Sequence, residues 1–295
     1  MAWNKIIALI SILLVFIIRV HATRQLFGYE KPLLAHFNGV VFQCPNNGID
    51  DLSLDSIRQT LVGLEDTIVY SLIERSKIAR NSPAYENVTF LGFHGSLMDH
   101  LIQGAEAVQS LGGRYQSPEE VPFFPNDLPP SLVNRPNCSQ ELPAAAASVS
   151  VTRNISDFYV NQFLPLLVPK GDDGNYALSV SSDLVCLQAL SRRIHFGKFV
   201  AEAKFRNDTE GYSAAIRAND RTTLTNLLTD ENVEAMVKQR VAKKAMIFGQ
   251  DVTLDDSNNS TDFKVDPALV SRLYDEWVIP LTKVVEIEYL LRRLD

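Results

Sequence analysis

The stretch from Asp183 to Arg206, DLVCLQALSRRIHFGKFVAEAKFR, constrains this chain more than any other. It contains no proline and one glycine among strong helix formers, and the Gly-Asp-Asp-Gly cluster at 171–174 breaks the chain upstream, so it predicts one long helix. At about 100° per residue, Gln188, Ser191, His195, Lys198 and Glu202 fall on one polar stripe. Arg193 and Lys204 are eleven residues apart, three turns plus roughly 20°, and share the opposite direction with Cys186, Leu190, Gly197 and Val200. Two cations about 16 Å apart on the buried face of a core helix need partners. Either carboxylates inside the protein answer them or an anionic ligand does, and geometry alone leaves both readings open. Arg192, beside Ala189, Phe196 and Phe199, is a third cation to be placed.

The remaining composition narrows the function classes. A chain of 295 residues, 46% hydrophobic, can bury a large core, and its net charge of -7 with no basic stripe argues against a nucleic-acid surface. Three cysteines without a CxxC, and five histidines off ligand spacing, make neither a metal site nor a disulfide framework; Cys186 reads as a buried thiol, and whether Cys44 meets Cys138 is left open. No glycine-rich phosphate loop and no Gly-x-Ser-x-Gly elbow is present.

Taken in order, residues 1–22 read as a signal peptide: Lys5, an apolar run from Ile6 to Ile18, then Val20-His21-Ala22. The run is short for a membrane span, so no stable membrane anchor is expected. Six Asn-x-Ser/Thr sequons, at Asn87, Asn137, Asn154, Asn207, Asn258 and Asn259, agree with a secretory or extracellular address; a cytoplasmic one is the alternative. Residues 23–50 read as an N-terminal arm and 51–295 as the folded domain. Helices are expected over 54–80, capped by Ser53, and over 96–111, 156–168 and 210–228. A proline-rich connector spans 117–143. Asp230 and Glu234 open a further helix reaching about Ile247, and Thr282 and Glu286 stand one turn apart on the last one. No alternating strand pattern appears, so the fold class is all-α, a multi-helix single domain around a long buried central helix.

Four segments carry a resemblance: LSLDSIRQTLVGLEDTIVYSLIERSKIARN, PEEVPFFPNDLP, CLQALSRRIHFGKFVAEAKF and VSRLYDEWVIPLTKVVEIEYLLRRLD. With them the chain from about Asp51 to Asp295 resembles the eukaryotic, plant and fungal, chorismate mutases. The resemblance implies an all-helical homodimer that rearranges chorismate to prephenate, toward phenylalanine and tyrosine, with neither cofactor nor metal. It implies that Arg58, Arg193 and Lys204 hold the two substrate carboxylates, with Lys204 also at the ether oxygen. It further implies that Glu234, with Asp230 beside it, meets the ring hydroxyl, that Thr282 touches a carboxylate, and that Glu286 donates to the ether oxygen. A non-catalytic helical protein that binds small anions is the alternative. An effector site for aromatic amino acids is implied at Arg114, Asn175, Ala177 and Leu178; Leu178 stands where the family has a hydroxyl, which puts regulation by tryptophan, tyrosine or phenylalanine in question.

Overall fold

Ser53 caps the first helix, α1 (Leu54–Ser76), by accepting from the Ser56 backbone N–H at 3.2 Å, and Ile57, Leu64, Ile68 and Leu72 recur on its buried face. The computed structural model describes residues 52–90, 93–133, 142–250 and 263–295. The readings made on residues 1–50, and on a Cys44–Cys138 pair, lie outside these. Helix α1 stops short of Arg80 because Arg75, fully buried, folds the chain back around itself. Its guanidinium donates to Asp183 at 2.6 Å and to the carbonyls of Ile78 and Ala79 at 2.8 and 3.3 Å. Asp183 also accepts from Tyr85 at 2.6 Å and Tyr159 at 2.8 Å, so this buried carboxylate is fully answered.

A three-residue antiparallel ladder, β1 (Val88–Phe90) with β2 (Phe93–Gly95), is the only sheet among the described residues, and the all-α class stands. Helix α2 (Leu97–Leu111) begins with a capping box between Ser96 and Asp99. The connector is tied down from below: buried Glu106 of α2 accepts the N–H groups of Phe123 and Phe124, each at 2.9 Å. The alanine run, which as a sequence shows only low complexity, forms the single-turn α3 (Ala144–Ala147).

Two expected helices carry a wide turn. One runs as α4 (Thr152–Phe158), a π turn at Tyr159–Phe163 and α5 (Leu164–Leu167); the last runs as α11 (Pro267–Leu273), a π turn at Tyr274–Val278 and α12 (Ile279–Leu291). Both turns lie just before a proline, Pro165 and Pro280, whose missing N–H and bulky ring an ordinary helical turn cannot take. The central segment is likewise two helices, α6 (Tyr176–His195) and α7 (Gly197–Asn207), joined at Phe196, which keeps helical torsions of -62° and -16°. The expected helix at 210–228 divides into α8 (Thr209–Arg217) and α9 (Arg221–Leu228), where Asn219 takes a left-handed φ of 51° and Asp220 caps α9. Helix α10 (Glu231–Gly249) completes the set.

One core joins Ile68 and Leu72 of α1, Ile155 and Phe158 of α4, Leu187, Leu190 and Ile194 of α6, Val241 of α10 and Val285 of α12. Each such side chain contributes about 1.5–3 kcal/mol by leaving water. Helix α6 is central, and from Cys186 to His195 every residue but Arg192 is buried. The polar stripe is therefore buried too, and it is satisfied from within. Gln188 accepts from Arg114 at 2.6 Å and donates to Gln109 at 2.7 Å, and Lys198 donates to the carbonyls of Pro118 and Ala147, both at 2.7 Å. His195 accepts from the Val151 N–H at 3.0 Å, and burial, reinforced by the Lys198 charge, brings its pKa down to about 3. Glu202 accepts from Arg293 and Arg206, at 2.6 and 2.7 Å, and from Tyr289 at 2.7 Å.

Candidate active site

On the opposite side of the same two helices the balance of partners reverses. Arg193 is 5% exposed, and two of its nitrogens, Nε and Nη1, are buried with no hydrogen-bond partner among the described residues. An orphaned, buried guanidinium is costly unless something outside the chain completes it. Glu65 and Asp66, which share the surroundings of the Tyr274 hydroxyl with Arg193, are committed elsewhere: Glu65 accepts from Arg240 at 2.6 and 2.8 Å and pairs with Lys244 at 3.1 Å, and Asp66 pairs with Lys244 at 2.7 Å. Arg192 is held by Glu120 at 3.3 Å and is not part of this group. Lys204 lends one N–H to the Leu228 carbonyl at 2.5 Å and makes no ion pair with a carboxylate among the described residues.

Glu286 of α12 is where the charges converge. It is 6% exposed, and burial pushes its carboxyl up to about 7, against the pull of Lys204, Arg193 and Lys283 and with a further push from Glu234. At neutral pH this acid is poised between donor and acceptor, whereas an ordinary glutamate is ionised. Gly197 lets the helices come this close: a Cβ there would lie 3.0 Å from Thr282 Cγ2 and 3.2 Å from Glu286 Cγ. Thr282, 8% exposed, has its hydroxyl turned to the Val278 carbonyl at 2.7 Å. Glu234, at the start of α10, pairs with Lys283 at 2.7 Å. Asp230 is exposed and caps α10, accepting from the Asn232 and Val233 N–H groups at 3.1 and 3.2 Å. An open surface groove adjoins, with Lys204, Tyr212, Thr229 and Asp230 in its wall.

Arg58 stands apart from this group. It is exposed and pairs with Asp55 on its own helix at 3.1 Å, while the neighbouring Ile57 packs with Phe196 and Ala203 at the seam of α1 and α7. The four effector residues are not gathered within one chain either. Asn175, Ala177 and Leu178 open α6, all exposed, whereas Arg114 is tied to Gln188, thirteen residues and about 20 Å further along that helix. Lys283 and the buried hydroxyl of Tyr274, which has no hydrogen-bond partner among the described residues and feels the Arg193 charge, belong to the site and had no signal in the sequence. Each is one more polar residue on an apolar helix until tertiary packing sets its neighbours. Among the described residues no cluster of His, Cys, Asp and Glu is arranged to hold a metal.

Comparison with known proteins places the chain in a family. The chorismate mutase type II family model matches residues 180–287. A Petunia hybrida protein named chorismate mutase 2 is 55% identical over 83% of this chain and 95% of its own. A Zea mays protein named cytosolic chorismate mutase 2 is 50% identical over 84% of this chain and 98% of its own. A solved Candida albicans chorismate mutase in complex with L-Trp superposes with a TM-score of 0.77, at 39% identity over 82% of this chain and 92% of that one. Another solved relative, 42% identical, holds tyrosine in an allosteric site. The expectation of a secretory or extracellular protein is overturned: these relatives include one named cytosolic and others named chloroplastic, and none is named secreted. An apolar run near an N-terminus carries too little information to outweigh that likeness.

Proposed function

This chain belongs to the chorismate mutase family and is an isomerase that converts chorismate to prephenate, and we propose that the cluster around Glu286 is where it does so. The single observation that carries the proposal is the buried Arg193 guanidinium with two unanswered nitrogens, beside an acid held at about 7. Chorismate is a dicarboxylate, and its intramolecular Claisen rearrangement breaks a carbon–oxygen bond while forming a carbon–carbon bond. Negative charge grows on the departing ether oxygen. Arg193 supplies a planar donor set for one carboxylate, with Thr282 beside it. Lys204 keeps one N–H on the Leu228 carbonyl, which aims the others at substrate: a carboxylate and the ether oxygen. Glu286, protonated, donates to the same oxygen, and two donors aimed where charge develops favour the transition state over the ground state. Glu234, with Asp230 nearby, accepts from the ring hydroxyl. Arg58 reaches the second carboxylate by leaving Asp55, an exposed pair whose loss costs at most about 1 kcal/mol.

The catalytic unit spans 51–295, and no step calls on a cofactor. Nothing favours the alternative of a non-catalytic anion-binding protein. A homodimer is the natural setting, since Arg114 and the start of α6 can share one effector only if two copies contribute. Leu178, 56% exposed, then presents an isobutyl group toward that effector, so the rate is expected to stay flat when tryptophan, tyrosine or phenylalanine is added. The deciding assay follows chorismate loss and prephenate formation with the full chain and with Arg193→Met. Losing two charge-assisted hydrogen bonds of about 1.5–3 kcal/mol each lowers kcat/KM by roughly 10²–10⁴; a variant that keeps the parent rate would remove Arg193, and this site, from the reaction.

A further inference from the structure

We propose that Lys283 is a positioning residue for the reaction: its ammonium holds the Glu234 carboxylate between α10 and α12 and offsets that carboxylate's charge beside Glu286. The proposal rests on the reading of Glu286 as a proton-bearing donor. Its geometric basis is the 2.7 Å ion pair between the two side chains, each about a quarter exposed. A second pair, Lys238 with Asp275 at 2.8 Å, ties α10 to the π turn before α12, so the contact is one rung of a short ladder that fixes Glu234 over the site. Around the Glu286 carboxyl stand Arg193 from α6, Lys204 from α7, Tyr212 from α8 and Glu234 from α10, with Lys283 on its own helix. On α9, the exposed Arg221 is engaged with Glu288 at 2.8 Å.

The arithmetic of charge explains why a fourth cation belongs here. With Glu286 protonated and Arg58 released from Asp55, the cations Arg58, Arg193, Lys204 and Lys283 against the anions Asp230 and Glu234 leave a surplus of two positive charges, the number that a dicarboxylate neutralises. Without Lys283 the surplus falls to one, and Glu234 faces Glu286 with nothing between them. Both the lost cation and the bared anion favour the protonated form of Glu286. The two effects have the same sign, so the direction is fixed: the enzyme holds its proton to higher pH while gripping the dianion less well.

The experiment is the pH dependence of kcat/KM for chorismate in wild type, Lys283→Met, Lys283→Arg and Glu286→Gln. In Lys283→Met the high-pH limb should move upward by roughly half a pH unit or more. KM should rise several-fold, and Lys283→Arg should bring both back toward wild type. Thermal melts of each variant, read beside the profiles, separate a loss of folding from a change in the site. If Glu286→Gln abolishes the limb while Lys283→Met leaves it in place, the proposal is wrong and the role of Glu286 survives. If Glu286→Gln keeps the limb, the donor role itself falls and this proposal falls with it.

Discussion

Replacing Glu286 by glutamine should raise stability at alkaline pH while removing the pH dependence of catalysis. The carboxyl has an ordinary value of 4.5 and sits at about 7 in the folded protein, chiefly through burial. The folded state therefore binds the extra proton between those values. Stability from this group is undiminished below about 4.5, falls as pH rises, and is fully lost above about 7. At about 1.4 kcal/mol per pH unit, the gap from 4.5 to about 7 makes roughly 3 kcal/mol. At 6% exposure solvent does little to reduce it. Glutamine has nearly the same shape, keeps a donor and does not titrate. Urea denaturation of both proteins at pH 4 and pH 8 measures the double difference, which cancels the titrating groups that do not feel Glu286. The variant should gain roughly 3 kcal/mol on wild type between those two pH values, or roughly 6–10 °C in melting temperature. In the same variant kcat/KM should be level above pH 7, where wild type falls about tenfold per unit. An equal stability difference at both pH values would refute the buried-acid argument, and a wild-type rate that stays level through pH 8 would refute the donor role.

Arg193→Met, whatever it does to the rate, should stabilise the unliganded protein by about 1–3 kcal/mol, because two unanswered buried N–H groups leave with it; chemical denaturation without substrate checks this. Gly197→Ala should cost about 1–3 kcal/mol and lower kcat, since its Cβ would press on Thr282 Cγ2 at 3.0 Å and on the rigid Thr282 carbonyl at 3.2 Å, moving α12 away from α7; melting curves and turnover are the measurements. Asp183→Asn should lose about 3–5 kcal/mol by leaving Arg75 uncompensated in a site with no exposure, and the denaturation midpoint reads it, while turnover per folded molecule stays unchanged.

Much of this protein was legible in one dimension. Ser53 and Ser96 announce helix starts, and the absence of alternating strands leaves, among the described residues, only a three-residue ladder to be missed. The spacing of Arg193 and Lys204 put both toward one place, and Glu286 does feel both. What periodicity cannot supply is which polar residue has a partner. The stripe from Gln188 to Glu202 and the pair Arg193 and Lys204 are equally improbable on a buried helix, and from residue types alone either could be the site. Packing decided: Pro118, Ala147, Val151 and Arg293, distant in sequence, answer the first, while Glu65, which shares the Tyr274 hydroxyl's surroundings with Arg193, is taken by Arg240 and Lys244. The same holds for boundaries. Arg75 ends α1 early, and Gly197 admits α12, because of groups that arrive from far along the chain. Local propensity and hydrophobic period act within a turn or two, so the sequence determined the helices, their faces and the kind of ligand they suit. Charge compensation is a property of neighbours in space, so only the tertiary structure decided which buried cation lacks a partner within the chain and which acid is pushed toward its protonated form.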